Sequence, residues 1–371
     1  MESNRRKFLK LASQSSLVGV AGLAAACSVP SKKPEGVNIN FNKTYRWKMT
    51  TTWPPNFPVV GEGCKLMADW VRQMSGGRLD ITVYGGGELI PALEGFDAVS
   101  NGAVEMNHGA AYYWAGKIPA SQFFAAVPFG MNAQQMSSWI LSGDGGKLWE
   151  DLYSPFNLLP ILCGNTGMQM GGWFNKEIKT MNDLQGLKMR IPGLGGKVLA
   201  NAGGTPVLVS GGEIYTNLER GVIDAAEWIG PYHDYKMGFH QVAKYYYYPG
   251  WHEPGPALEM IVNKDKFLAL PDDLQEIVRT ACQRLGAWMM AEFDARNGEY
   301  LEKMIEENVD IRPFPKEVLD GLKASTDAAI GELTDRDMDC KRVYDSFSAF
   351  KKRINKWTDI SEKVFYDVLS K

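Results

Sequence analysis

Phe96-Asp97-Ala98-Val99-Ser100-Asn101-Gly102-Ala103-Val104-Glu105-Met106-Asn107-His108 reads as a helical run, a glycine stop and a short strand. Tyr215-Thr216-Asn217-Leu218-Glu219-Arg220-Gly221-Val222-Ile223-Asp224-Ala225-Ala226-Glu227 follows the same plan 119 residues later. Gly102 aligns with Gly221, Glu105 with Asp224 and, beyond the repeat, Tyr113 with Tyr232. Helices in such units commonly end on a Gly that takes a positive φ. The echo predicts two similar α/β lobes. Ligands of open α/β sheets bind beyond the carboxyl ends of the strands. Two facing lobes would therefore place His108 and Glu227 on opposite walls of one cleft.

The surrounding chain has a matching rhythm. Tyr45–Thr51 alternates like a strand and runs into Trp53-Pro54-Pro55, which must leave it. Residues 59–75 carry Val60, Leu66, Met67, Trp70, Val71 and Met74 at helical spacing and stop at Gly76-Gly77. Leu79–Tyr84 alternates again and ends at Gly85-Gly86-Gly87. This βαβ order predicts a parallel sheet flanked by helices. Tyr245–Tyr248 reads as a further strand. A long helix is expected over 272–308: Pro271 precedes Asp272-Asp273, and Leu274, Val278, Ala281, Leu285 and Trp288 form one apolar stripe.

The 371 residues are 45% hydrophobic and 22% charged, which excludes a disordered tail, a collagen-like repeat and a polytopic membrane protein. The net charge of −3 supplies no basic field for nucleic acid. Asn4-Arg5-Arg6-Lys7-Phe8-Leu9-Lys10 and the charge-free stretch Leu11–Ala26 read as a removable export signal over 1–27, similar to a twin-arginine signal. Gly22-Leu23-Ala24-Ala25-Ala26-Cys27 resembles a lipoprotein cleavage box. Two readings stand there: lipidation of Cys27, or ordinary cleavage that leaves Cys27 incidental. Residues 28–42 look like a linker. Without 1–27 the chain carries 36 basic and 42 acidic residues, net −6, so a receptor for an anion must build its positive site locally. Cys64, Cys163, Cys282 and Cys340 are scattered, with no CxxC or Cys/His cluster that would signal zinc or iron–sulfur chemistry.

Gly186-Leu187-Lys188-Met189-Arg190-Ile191-Pro192-Gly193, with Gly221–Trp228 downstream, resembles the solute-binding receptors of tripartite ATP-independent periplasmic (TRAP) transporters. The likeness covers essentially the whole mature chain. It extends to the branch that binds 2-oxo acids and lactate as metal complexes, through Trp53-Pro54-Pro55-Asn56-Phe57-Pro58, Gln169, Glu227-Trp228 and Trp251-His252-Glu253-Pro254. The resemblance implies an α/β, two-lobed periplasmic-binding-protein-like fold with hinge strands and a long lobe-spanning C-terminal helix. The expected lobes are 43–166 plus 254–300, and 167–253 plus 301–371. It also implies a small carboxylate ligand, delivered unchanged to integral-membrane permease subunits. Amphipathic segments over 315–371 leave a homodimer open.

Lys188 and Arg190 share one strand face, and Leu187, Met189 and Ile191 the other. From strand position Arg190 is either a surface residue or a fork for a carboxylate, which Arg grips with two parallel bonds. The resemblance implies the fork. Gln169, set between Met168 and Met170 in an expected strand, turns its amide away from the methionines, as a hydrogen-bonding Gln or as a cation ligand. Glu227 follows Ala225-Ala226, and a carboxylate in so apolar a run wants a cation or donors. Either an Arg salt bridge or a metal would serve. The resemblance implies metal ligation by Gln169, Glu227, the Trp228 carbonyl and Glu253; oxygen ligands suit Na+ or Ca2+ bridging the substrate. On the substrate side it points to Arg190, Gln169, Trp228, Trp53, Asn56 and Tyr112. His108 lacks partners at ligand spacing and reads as a satisfied histidine. Gly193-Leu194-Gly195-Gly196-Lys197 lacks GxxxxGK[ST] spacing and reads instead as the opening of a helix facing the cleft. The competing class is an exported enzyme, but GxSxG, HExxH and paired histidines are all missing, and no organic cofactor is signalled.

Overall fold

The computed structural model describes residues 43–370. The export signal, Cys27 and the 28–42 linker lie outside the described residues. Eleven strands are described: β1 Tyr45–Thr51, β2 Leu79–Tyr84, β3 Met106–Gly109, β4 Leu158–Asn165, β5 Gly172–Phe174, β6 Lys188–Arg190, β7 Thr205–Val207, β8 Ala225–Ala226, β9 Tyr245–Tyr248, β10 Ala257–Asn263 and β11 Asp310–Pro313. They form two sheets, β2-β1-β3-β10-β4 and β11-β9-β5-β8-β6-β7.

Reversed, the second sheet reads β7-β6-β8-β5-β9 and repeats the first strand for strand, with β11 added at its edge. In each, three parallel strands are followed by an antiparallel one, β10 or β5. The echo of 96–108 at 215–227 is therefore a repeat of architecture. Helices Gly95–Ser100 and Ile214–Glu219 both run into a left-handed glycine, Gly102 at φ 79° and Gly221 at φ 65°. The matched acids make the same clip. The Lys48 amide donates to Glu105 Oε2 (2.8 Å), and the Lys188 amide donates to Asp224 Oδ2 (3.0 Å). The acids' own amides return bonds to the Lys48 and Lys188 carbonyls.

The lobes are joined by two crossing segments, 165–171 from β4 to β5 and 249–256 from β9 to β10. They run side by side: the Gln169 amide donates to the Glu253 carbonyl (3.3 Å) and the Gly250 amide to the Gln169 carbonyl (3.0 Å). The strand expected at Gln169 is thus an extended crossing whose amides bond Glu253, Ile229 and Tyr247 rather than one ladder. Its alternation survives, with Met168 exposed and Gln169 buried.

The long helix, Asp272–Glu306, starts and stripes as expected, burying Leu274, Val278, Ala281 and Leu285. It packs on β4 and helix Val60–Met74 in the first lobe and on helix Pro231–Lys236 in the second. Helix Lys316–Arg336 covers the second sheet's helix Gly193–Asn201, whereas helix Met338–Thr358 turns back onto helices 133–142 and 145–153 of the first lobe. Grouping all of 301–371 with the second lobe therefore needs correction. Phe347 buries its ring edge-on to Trp139 at 5.3 Å, and Tyr344 meets Phe123, so helix Met338–Thr358 adds to the first lobe's core. Among the described residues no helix is long and apolar enough to cross a membrane.

Glu259 on β10 is fully buried. Oε1 accepts from the Trp114 indole and from Tyr153 (3.4 Å), while Oε2 has no partner. Burial pushes its pKa up to about 8. The folded state therefore keeps a proton that the unfolded state releases near its ordinary value. The associated stability is present at acid pH and lost as pH rises toward about 8. We expect thermal unfolding of Glu259→Gln to fall less than that of the parent between pH 5 and 8, the difference reaching on the order of a few kcal/mol. Parallel curves would remove Glu259 as the titrating group.

Candidate functional site

Adjacent parallel strands β6 and β8 pair Arg190 with Ala226, so Arg190 and Glu227 leave the sheet together at its carboxyl edge. Arg190 is 1% exposed, although Lys188 on the same face is solvated. Its Nη1 donates to Glu227 Oε1, Nη2 to the Tyr113 hydroxyl (3.3 Å) and Nε to the Val209 carbonyl (3.3 Å). The guanidinium lies over the Trp228 ring at 5.3 Å. Burial works against its charge, but Glu227 and the two tyrosines outweigh that and hold its pKa above the ordinary value. The salt-bridge reading of Glu227 is thus realised, with Arg190 itself as the partner.

The crossing segments supply the other wall. His252 Nε2 lies 3.2 Å from Glu227 Oε2; because a carboxylate only accepts, this nitrogen carries the proton. Carboxylate and imidazole atoms of Glu227, His252 and Glu253 lie within 4.8 Å of one another, all buried. Burial, and then the charge of Glu227, push the Glu253 pKa well up, against the pull of Arg190, Gln169 and Tyr112. Gln169 donates from Nε2 to Thr166 Oγ1 (3.1 Å), leaving its Oε1 without a donor. Glu253 Oε2 is likewise unpartnered. Two buried acceptor oxygens without donors, one amide and one carboxylate, beside the Glu227 carboxylate, are of the kind a hard cation takes as ligands.

A small cavity of about 10 Å3, room for about one water, is lined by Trp53, Tyr112, Tyr113, Thr166, Gln169, Arg190, Trp228, Ile229 and Leu258. A far larger groove of about 840 Å3 has no charged lining residue and holds none of the site's acids or Arg190. Of these two, only the small cavity is lined by a charged side chain, that of Arg190. Of the expected substrate residues, the structure gathers Arg190, Gln169, Trp228, Trp53 and Tyr112 there. Asn56 is the correction: it is exposed, and its Oδ1 takes the Lys65 ammonium, because the loop after Pro55 turns outward. Trp53 offers only its ring, since its indole N–H donates to His108 Nδ1 (2.7 Å). His108 Nε2 then donates to the Cys163 carbonyl (3.3 Å), and burial lowers its pKa to about 4. It is the satisfied histidine expected, one layer behind the cleft wall.

Sequence reasoning gave no role to His252, Tyr113 or Asp234. Asp234 is buried and accepts from Trp173 Nε1 (3.0 Å), Tyr246 hydroxyl (2.8 Å) and the amides of Ile229 (3.2 Å) and Gly230 (3.1 Å). It thereby pins the turn that follows Glu227-Trp228. An acid three residues after Pro231 was the available signal for such a cap.

Residues 49–337 match the profile of the bacterial extracellular solute-binding proteins, family 7. The chain belongs to this family. Among its relatives is a monocarboxylate 2-oxoacid-binding periplasmic protein of Nostoc, 43% identical over 85% of this chain and 87% of its own. A TRAP periplasmic solute-binding protein of Pseudoalteromonas atlantica, solved with sodium and pyruvate, superposes with a TM-score of 0.86 at 40% identity, covering 88% and 99% of the two chains. One from Colwellia psychrerythraea, with calcium and pyruvate, gives 0.85 at 42% identity and the same coverage. The two-lobed fold of this family 7 receptor, with its long lobe-spanning helix, is thereby shown.

Replacing Asp234 by Ala strands four donors at once. Each buried unpaired donor costs about 1–3 kcal/mol. We expect Asp234→Ala to lower the denaturant midpoint by the equivalent of about 3 kcal/mol or more. An unchanged midpoint would show that the turn does not depend on Asp234.

Proposed function

We propose that this receptor captures a small 2-oxo monocarboxylate such as pyruvate, or lactate, as a complex with Na+ or Ca2+, and hands it unchanged to membrane permease subunits. The observation that carries this reading is a buried guanidinium and the unpartnered amide oxygen of Gln169 lining one small cavity, with a second unpartnered buried oxygen on Glu253. Arg190 is the one cationic side chain lining the cavity among the described residues, so one carboxylate is matched and a second would be stranded. Gln169, Glu227, Glu253 and the Trp228 carbonyl would hold the cation, which neutralises the acids and binds the ligand's oxo or hydroxyl oxygen. His252 orients Glu227 from behind. Trp53, Tyr112, Trp228 and Leu258 supply the apolar walls that a compact side chain would meet once the cleft opens to admit it. The sodium- and calcium-bound pyruvate complexes of the relatives support a cation and a 2-oxo acid as the joint ligand.

The route there is proposed to be twin-arginine export, with tethering through Cys27 if the lipobox is used. We also propose that copies pair through the C-terminal segment, where Trp357, Ile360, Phe365, Tyr366, Val368 and Leu369 are exposed. Contiguous apolar surface of this kind marks interaction sites. Sedimentation of the full mature chain should then show a dimer, reduced to monomer by truncation after Thr358; monomer throughout would remove the pairing.

Calorimetric titration with pyruvate, longer 2-oxo acids and lactate, in Na+ or Ca2+, tests the main reading. Arg190→Ala is expected to abolish binding, and retained parental affinity would dismiss the site. Glu227→Gln is expected to weaken binding by losing the cation; stoichiometric metal in that variant would remove Glu227 from the ligand set.

A further inference from the structure

The Arg190–Glu227 ion pair poses a problem for any ligand that needs both residues. Both side chains are 1% exposed, and each is the other's charge partner. A cation arriving alone at Glu227 must share that carboxylate with a guanidinium already bonded to it. A carboxylate arriving alone at Arg190 would bring a second anion against Glu227, with Glu253 close by. Either half-step is opposed: a lone cation competes with Arg190 for Glu227, and a lone carboxylate displaces Glu227 with no cation to receive it, which leaves a buried charge unmatched. Taken together the two steps exchange partners without stranding a charge: Arg190 passes from Glu227 to the incoming carboxylate while Glu227 passes to the cation.

We propose that Glu227 is an internal stand-in for the ligand's carboxylate, so that cation and organic acid bind this receptor as an obligatorily coupled pair. The proposal rests on the preceding reading of the site and adds the order-free linkage between its two occupants. The surroundings are arranged for the switch. Arg190 is steadied by the Tyr113 hydroxyl and the Val209 carbonyl, contacts that do not involve Glu227. Glu227 is held through its second oxygen by His252, so Oε1 can change partner while Oε2 stays anchored. The two cation-facing oxygens, Gln169 Oε1 and Glu253 Oε2, have no protein donors to give up. A coupling of this kind must be reciprocal.

The test uses the mature chain in choline buffer with a calcium chelator, and again with saturating Ca2+ or Na+. Pyruvate affinity should rise on the order of tenfold or more with cation, and Ca2+ affinity should rise by the same factor with pyruvate. Trp228, which packs under Arg190 at 5.3 Å, supplies a fluorescence signal alongside calorimetry. Two variants separate partner exchange from simple bridging. In chelator, Glu227→Gln should bind pyruvate more tightly than the parent does in chelator, because Arg190 has lost its stand-in. Without pyruvate, Arg190→Gln should bind Ca2+ more tightly than the parent does. If one variant fails to fold, the other decides. Cation-independent pyruvate affinity in the parent, or neither variant gaining the affinity named, overturns the proposal. No pyruvate binding by the parent under any condition would instead overturn the underlying reading of the site.

Discussion

A guanidinium held almost entirely out of water sets the terms for the rest of this molecule. Charge is too costly to bury unmatched, so Arg190 dictates what surrounds it: the Glu227 carboxylate, the Tyr113 hydroxyl, the Val209 carbonyl and the face of Trp228. Those groups come from neighbouring strands of one lobe and a helical turn of the other. Arg190 thus binds the lobes to each other as well as marking where an anion belongs.

The duplication explains why the site lies at the junction. Each lobe takes its antiparallel strand immediately after a crossing, β5 after 165–171 and β10 after 249–256. The two crossings run alongside each other, Met168 turning to solvent while Gln169, His252 and Glu253 are buried. Those three are placed at the junction by that geometry. Residues on a hinge feel both lobes, which is the arrangement a hinged receptor needs if occupancy is to bias closure. Pro58 and His233, joined by a 2.8 Å hydrogen bond, add contact between the lobes behind the cavity.

Local patterns were readable wherever one face of an element is buried against one partner. β1 and β2 and the start of the long helix fall where alternation and the Pro-Asp-Asp cap place them. Glu105 and Asp224, aligned in the sequence echo, prove to make two equivalent clips that the alignment did not itself foretell. Reading weakened where the backbone bonds to several elements at once. The 168–170 segment alternates like a strand but joins no ladder, and Asn56 sits beside Trp53 in the chain yet faces solvent. His252 gave no periodic signal because 249–256 has no regular structure. The final helix carries an amphipathic stripe, but a stripe does not say which lobe it will cover.

The chain alone determined the kinds of element, the twofold plan and the residue types able to meet an acid and a hard cation, because these follow from periodicity, glycine stops and the chemistry of side chains. Tertiary structure alone decided that Arg190 is buried while Lys188 is not, that its partner is Glu227, and that His252 stands behind that acid. Burial and pairing depend on which strands become neighbours. Residues 37 positions apart, like Arg190 and Glu227, acquire a shared environment only when β6 and β8 align in one sheet.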